Sequence, residues 1–531
     1  MRIDKIYIEE FKNLRDFSID LNEEFMSTVF LGQNAAGKSN LLEALVIIFR
    51  NLDLEDPTDF NYVLEYQCKE NLLKVKGGPD VRGKFQFYKG VKIKNTIAYG
   101  TKALSKKGIR ENKRDYLPRY VFSYYSGVSN RLLEHFDKHQ TRFYKALLDN
   151  DDQPSRPLFY ARLIHSHFVL MAFYAFPEKK INDFLKEYLN IIDFESVLFV
   201  LKKPIWKRNN NPLDFWGADG VVRKFLNELW EASLAPISHK EKVREDFNKH
   251  PEQDHLYLYI SNRKKLQEIA TKYLTNTEFF KSLESTYISD LIQEVRVKVK
   301  KENVKGDITF KELSEGEQQL LTVLGLLRFT KEDESLILLD EPDTHLNPLW
   351  KWKYMNLLEK YSGKDESSQI LMTTHDPLVI GGLTKEQIRI FQAVKKTDKE
   401  EKEYQHIEAF EPDFDPKGLG VAGILTSEFF NLPSTLDEET QNELNEYRSL
   451  EVKEKRGNLS EKEKTLLTKY TKYFEELGFN KYTRDPLYAK FIERTANLSE
   501  FKSMPQTKEE QQKQDNLTVS ILEDLLKEDS Q

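Results

Sequence analysis

Four short segments of the chain place residue types at spacings that suit nucleotide chemistry. Gly32-Gln33-Asn34-Ala35-Ala36-Gly37-Lys38-Ser39, followed by Asn40, matches G-x-x-x-x-G-K-[ST]. Glycines at its two ends let the backbone wrap a phosphate, so that successive amide N–H groups and the N-terminus of the next helix face the anion. Lys38 is then placed to reach the β- and γ-phosphates, and the Ser39 hydroxyl to ligate Mg2+, so ATP and Mg2+ are the cofactors this spacing implies. A chance glycine turn is the bland alternative; the strand pattern before the segment and the apolar helix pattern after it speak against that.

The second segment, Leu336-Ile337-Leu338-Leu339-Asp340-Glu341-Pro342, is an apolar strand ending in two acids. It delivers Asp340 to a metal and Glu341 to the position of a general base that polarises an attacking water. Such strands are also common as mere structure, and it is the phosphate-binding pattern upstream that gives this one a role. In the third, Leu313-Ser314-Glu315-Gly316-Glu317-Gln318-Gln319, Ser314 and Glu317 satisfy the pattern of an ordinary helix cap. The fourth, Thr373-Thr374-His375-Asp376-Pro377, sets a histidine directly after a strand pattern. A lone histidine is usually structural.

These residues need elements to hold them. The first segment reads strand, turn, strand, loop, helix, with the phosphate-binding residues at a strand-to-helix junction. A strand pair is expected within residues 83–100 and a strand within 119–127. Apolar spacing of three and four in RLLEHF, FLKEYLNII, VVRKFLNELW and LQEIATKYL then predicts a largely helical stretch up to about residue 293. Strand character returns over 295–313, with a hairpin turn at 303–307, followed by a helix from Gly316. Two apolar strands around Leu336 and Ile370, separated by a helix from Pro348, imply a parallel sheet. A last hairpin has its tip in the charged run 395–403. Beyond residue 435 the sequence reads as charged helices, with a mobile tail from about Lys502. The predicted division is 1–130 and 294–412 for two lobes of one α/β head, 131–293 for a helical insertion, and 413–531 for a helical extension suited to partner docking.

Composition narrows the classes. The chain has 531 residues, 39% hydrophobic and 31% charged, as expected for a globular protein with charged surfaces. Its apolar runs fall short of the roughly 20 residues that span a bilayer, and the start MRIDKIYIEEF alternates like a strand rather than a signal peptide. A cytoplasmic, non-membrane protein is expected. The single cysteine, Cys68, excludes an intrachain disulfide and a cysteine-based zinc site. With 80 Lys and Arg against 87 Asp and Glu, the net charge of −7 does not mark a basic nucleic-acid binder. The basic segments Lys202–Arg208, with Trp206, Arg263–Lys265 and Lys298–Lys301 either touch DNA or RNA phosphates or form solvated faces; both readings stand.

Taken in order, the four motifs resemble those of the compact bacterial ABC/SMC-type ATPases, the AAA-labelled group that includes OLD-like proteins. The sequence DEPDTHLNPLW, the YYSG stretch and Gly418–Pro433 look most like the PtuA-type ATPases of Septu and retron-associated anti-phage systems. The resemblance implies a fold, an α/β ABC-type P-loop head. It implies that Ser314, Gly316 and Glu317 form a signature contacting the nucleotide held by another subunit, hence a homodimer or higher even-numbered oligomer. It makes His375 a switch histidine at the γ-phosphate and Asp343–Asn347 the loop that crosses the dimer interface. It also implies a separate HNH nuclease partner. The family's magnesium-sensing glutamine stays unassigned: Gln67 and Gln86 are candidates, and Tyr120–Arg131 could fill that junction with none. OLD proteins carry their own metal-dependent nuclease domain; Asp413 and Asp415 offer its letters but read better as a turn, and His165 and His167 as part of the insertion. The alternatives are a DNA repair or recombination ATPase that clamps DNA, and an ATP-gated scaffold with little hydrolysis.

Overall fold

The computed structural model describes residues 1–94, 96–127, 129, 131–149, 157–204, 206, 209–243, 246–302, 304, 306, 308–309, 312–330, 334–361, 367–397, 403–477, 490–491, 494–495, 498–501 and 508–529. The chain divides into two compact units, one made of Met1–Phe30, Ala35–Val379 and Phe391–Ala409, the other of Leu31–Asn34, Ile380–Ile390 and Phe410–Gln531.

The chain opens with β1 (Arg2–Phe11), β2 (Leu14–Asp20) and β3 (Ser27–Gly32), followed by helix α1 (Lys38–Leu54). Next come β4 (Tyr62–Cys68), β5 (Asn71–Gly77), β6 (Phe85–Ile93), β7 (Thr96–Tyr99), β8 (Tyr120–Tyr125) and the short β9 (Leu158–Tyr160). Six of these form one sheet in the order β2-β1-β4-β5-β6-β7. Its pairs are antiparallel, and β4 alternates buried and half-buried residues, the period-2 signature of a strand with one face in the core.

The sheet that carries the site uses β15 (Ser335–Asp340), β16 (Gln369–Thr373), β17 (Ile388–Thr397) and β18 (Glu403–Phe410), in the order β18-β17-β3-β16-β15-β8-β9. β3, β16, β15, β8 and β9 run parallel. Every residue of β15 and β16 is buried, which is why they read as continuous apolar runs. α1 is apolar around most of its circumference and buried from Leu41 to Phe49. Its side chains and those of β1, β4 and β5 make one core, in which Phe391 of β17 stacks on Phe17 and tilts against Phe30.

The stretch expected to be helical contains α2 (Asp137–Leu148), α3 (Ile164–Ala175) and α4 (Asn276–Ile288), with further helices at Lys179–Leu189, Gly220–Ala232 and Arg263–Ala270. It also holds strands the spacing does not reveal. β10 (Ile191–Lys202), β11 (Ile237–Lys242) and β12 (Glu252–Ile260) join β13 (Ile292–Lys301) and β14 (Ile308–Thr309) in a sheet ordered β11-β12-β10-β13-β14. The run FLKEYLNII is divided: the helix stops at Leu189, Asn190 takes a left-handed φ of 53°, and Ile191 begins β10. The apolar run Val197–Leu201 in β10 is mostly buried on both faces, so it lacks the alternation that marks a half-buried strand. The predicted turn 303–307 and the hairpin tip 395–403 lie partly outside the described residues.

Helix α5 (Glu315–Leu320) continues through a wider turn, Leu321–Gly325, into Leu326–Thr330, and α6 (Pro348–Tyr361) joins β15 to β16. In the second unit, α7 (Glu438–Lys455) and α8 (Glu461–Glu476) form a hairpin around Leu444, Leu450, Leu467, Tyr470 and Phe474. Within the tail expected from Lys502, α9 occupies Lys508–Asp529; Leu517, Ile521 and Leu525 recur at helical spacing and Leu525 is buried. Residues 502–507 lie outside the described residues. No described helix is long and apolar enough to cross a membrane.

Candidate functional site

Because β3, β16 and β15 are parallel neighbours, the loops at their carboxyl ends open at the same edge of the sheet. That edge gathers the predicted groups. Gly32 and Gly37 both have positive φ, 142° and 90°, and Ala35 lies between them at 63°. A side chain at Gly37 would meet Leu14 Cδ2 at 2.7 Å, so the loop can turn into α1 only with glycine there. Gln33, Asn34 and Ala35 are exposed, whereas Ala36, Gly37 and Lys38 are buried.

Burial pulls Lys38 down to about 8, against the raising pull of Glu341 and Asp340. Ser39 Oγ donates to Asp340 Oδ1 at 3.0 Å, and Thr373 Oγ1 donates to the same oxygen at 2.5 Å. Burial raises the Asp340 carboxyl above its usual range; the hydrogen bonds from Thr373 and Ser39 and the charge of Arg131 work the other way. Asp340 Oδ2 is buried without a hydrogen-bond partner among the described residues. A hard divalent cation suits that orphaned oxygen together with the Ser39 hydroxyl, so the residues present fit Mg2+.

Glu341 takes a left-handed φ of 50° and is anchored by its own N–H, which donates to Thr373 Oγ1 at 3.0 Å. Its carboxylate is 3.4 Å from His375 Nε2. That hydrogen bond holds the Glu341 pKa below its ordinary value, although burial opposes it, so the group is ionised at neutral pH. Asp343 in the following loop accepts from Thr374 Oγ1 at 2.9 Å, and burial pushes its carboxyl up to about 6.

Ser314 caps α5 in the predicted box: Glu317 N–H donates to Ser314 Oγ at 3.3 Å, and Ser314 N–H donates to Glu317 Oε2 at 2.9 Å. The Glu317 carboxylate also takes Lys301 Nζ at 2.6 Å. A Cβ on Gly316 would lie 2.5 Å from the His345 carbonyl oxygen, so glycine permits this close approach. The contact is fixed further by His345 N–H, which donates to Gln319 Oε1 at 3.0 Å. The segment 314–319 thus packs on the 343–347 loop of its own chain.

Of the three places offered for a magnesium-sensing glutamine, the strand end is the one at the site. Gln67 and Gln86 lie on β4 and β6 of the antiparallel sheet, while β8 pairs with β15 and sends Ser126 N–H to the Asp340 carbonyl at 3.2 Å. Spacing gave no role to Asn13, Arg131, Glu43 or Thr373. Asn40, expected among the nucleotide contacts, gives its side chain to Asn13 and Arg131.

The remaining candidates lie elsewhere. His165 and His167 are buried in α3, and Arg162 N–H donates to His165 Nδ1. Asp413 and Phe414 donate their N–H groups to Glu428, and Asp415 accepts from Lys385 N–H, so Asp413–Asp415 is a loop held by local bonds. In the basic segments Lys202 pairs with Asp290, Arg263 with Asp193 and Lys300 with Glu195, and Trp206 donates to the Ser289 carbonyl. Lys207 and Arg208 lie outside the described residues.

The profile of a family described as AAA ATPase domain, AAA_15, matches residues 1–380. The chain belongs to this ATPase family. One stretch of this AAA ATPase is also similar to the Septu protein PtuA of Bacillus mycoides (strain KBAB4), 32% identical over 147 residues, which is 27% of this chain and 19% of that protein. The match thus spans about a fifth of the relative's length. Solved structures similar to the chain include an SmcHead bound to the C-winged helix domain of ScpA, at 12% identity and a TM-score of 0.33, covering 77% of this chain and 98% of that one. The SMC head domain from Thermotoga maritima has 13% identity and a TM-score of 0.30, covering 77% and 99%. Likeness at that level decides nothing further about this ATPase.

Proposed function

We propose that the chain hydrolyses ATP with Mg2+, assembles as a homodimer around the nucleotide, and in that state holds or licenses a separate HNH nuclease in anti-phage defence. The observation that carries the ATPase part is the convergence of Lys38, Ser39, Asp340, Glu341 and His375 at one edge of the parallel sheet. Lys38 binds the β- and γ-phosphates, and the amides of Gly32–Lys38 cradle them. Ser39 and Asp340 hold Mg2+, which when bound supplies charge neutralisation for the transferred phosphoryl group. Glu341, ionised and oriented by Thr373, accepts a hydrogen bond from the attacking water, and His375 steadies that carboxylate and the γ-phosphate. Ser314 and Gly316, on a helix packed against the 343–347 loop, complete the site of the partner copy.

The defence role rests on the partial likeness to PtuA. Within it, 1–130 and 294–412 form the ATPase head, 131–293 the insertion, and the charged helices after residue 413 the docking element; the protein works in the cytoplasm. The test compares mass and ATPase rate of the wild type, Lys38→Ala and Glu341→Gln, with and without whatever nuclease is encoded beside the gene. Loss of ATP binding in Lys38→Ala and a nuclease-bearing dimer trapped by Glu341→Gln are expected. Variants that behave like wild type, with no partner joining, would sink the proposal.

A further inference from the structure

A chain of hydrogen bonds reaches the back of the phosphate loop from outside it. Asn13, in the tight turn between β1 and β2, donates through Nδ2 to the carbonyl of Ala35 at 2.7 Å. Asn40 donates to Asn13 Oδ1 at 2.6 Å, and Arg131 Nη2 in turn donates to Asn40 Oδ1. The relay therefore ends on the one left-handed alanine of the loop, at φ 63°, a conformation alanine adopts only when its surroundings hold it there.

Arg131 is also fixed at its other face. Its Nε donates to Glu43 Oε2 at 2.9 Å, and Glu43 takes Lys12 Nζ at 2.6 Å and His135 Nε2 at 3.1 Å as well. Asn40, Glu43, Arg50 and Asp53 follow at helical spacing along one face of α1. Opposite them runs the segment that leads into the insertion: His135 meets both Glu43 and Arg50, and His139 Nε2 lies 2.9 Å from Asp53 Oδ2. The first turn of α1, which bears Ser39, is thus tied at once to the phosphate loop and to the start of the insertion, and Arg131 is the side chain common to both ties.

We propose that Arg131 is a positioning residue of the ATP–magnesium site: through Asn40 and Asn13 it fixes the magnesium-bearing first turn of α1 and the Ala35 backbone, and through Glu43 it binds that turn to the segment 131–139. The proposal rests on the ATP–magnesium reading above. A guanidinium can meet Asn40 and Glu43 together because its donors form a rigid fork; an ammonium offers a single point charge. A mere stabilising ion pair would need only the charge.

The experiment titrates Mg2+ into the full-length protein with a fluorescent ATP analogue and, separately, measures melting without nucleotide, for wild type, Arg131→Lys, Arg131→Gln and Asn13→Ser. Expected is a rise of about tenfold in the Mg2+ concentration for half-maximal binding in Arg131→Gln and Asn13→Ser, the size usual when a group supporting a metal ligand is lost. Arg131→Lys should melt like wild type and still show most of that rise. Unchanged Mg2+ titrations in all three variants, with wild type binding normally, overturn the positioning role alone, even if melting falls. A wild type without Mg2+-dependent binding overturns the underlying site reading, and this inference with it. Should Arg131→Gln fail to fold, the uncharged Asn13→Ser and the charge-keeping Arg131→Lys decide the matter.

Discussion

Glu43 in the ATPase unit and Glu463 in the C-terminal helical hairpin are both held at a pKa of about 2, yet the two carboxylates stand in opposite physical situations. Glu43 is 4% exposed, and burial alone would raise it; hydrogen bonds from His135, Lys12 and Arg131 overcome that cost. Glu463 owes its low value first to Lys453, then to Ser460, at a partly exposed position where burial opposes little. Water can replace any partner of Glu463, whereas nothing replaces the partners of Glu43. A low pKa therefore measures how well a charge is served and says nothing of what its loss would cost.

The largest effect should come from testing that contrast directly. Glu43→Ala removes three charge-assisted hydrogen bonds, from the partly exposed Arg131, Lys12 and His135, at a buried position and is expected to lose about 3–5 kcal/mol of stability by urea denaturation. Glu463→Ala should melt within the scatter of the wild type. Equal losses in the two variants would show that burial does not separate them. What holds the C-terminal hairpin is its small apolar core rather than its ion pairs. Phe474→Ala, at a residue only 2% exposed, should weaken the hairpin by about 3 kcal/mol. The loss should appear as faster hydrogen exchange over residues 438–476, with Mg2+-dependent ATP binding retained.

The same contrast explains what the sequence could reveal. Lys38, Ser39, Asp340, Glu341 and His375 are legible because each lies beside a fixed backbone event, a glycine turn or the end of an apolar strand, so that spacing alone locates it. The parallel sheet was legible for the same reason, in the continuous apolar runs of β15 and β16. Arg131, Glu43 and Asn13 were not, since they meet across separations of 88 and 22 residues and no local pattern marks such a partner. β10 escaped because burial on both faces erased its alternation, and its neighbours in the sheet come from sequence 50 and more residues away. Helix α9 was read as a tail because its charge outweighs its few apolar residues, of which Leu525 is fully covered.

Lys38 gives the contrast a pH dependence. Burial lowers its pKa to about 8 in the free protein, while a bound triphosphate favours the charged form and raises it. Affinity for ATP should then be full below pH 8 and weaken by up to about tenfold per unit as pH rises above it, with uptake of a proton on binding. Calorimetry in buffers of different ionisation enthalpy measures both. Affinity that stays flat from pH 7.5 to 9.5 would mean that Lys38 remains charged when empty, and that burial there is weaker than at Glu43.

Asp343 is the counter-case within the ATPase unit, a buried carboxylate whose partners do not overcome burial. Burial pushes it up to about 6; the hydrogen bond from Thr374 and the charge of Lys351 work against burial, and the negative charge of Asp376 adds to it. Its second oxygen, Oδ1, is buried without a hydrogen-bond partner among the described residues. With a folded pKa above the unfolded one, the folded state holds this proton more tightly, so Asp343 favours folding at low pH and that contribution is lost as pH rises from about 4 to 6. Asp343→Asn keeps an oxygen for Thr374 Oγ1 and removes the charge. It should leave the melting temperature near pH 4 unchanged and raise it by a few degrees at pH 8, a smaller change than that of Glu43→Ala. A variant less stable than wild type at pH 8 would show that Asp343 is charged for a purpose its described neighbours do not reveal, and would move it from the tolerated burials to the served ones, beside Glu43.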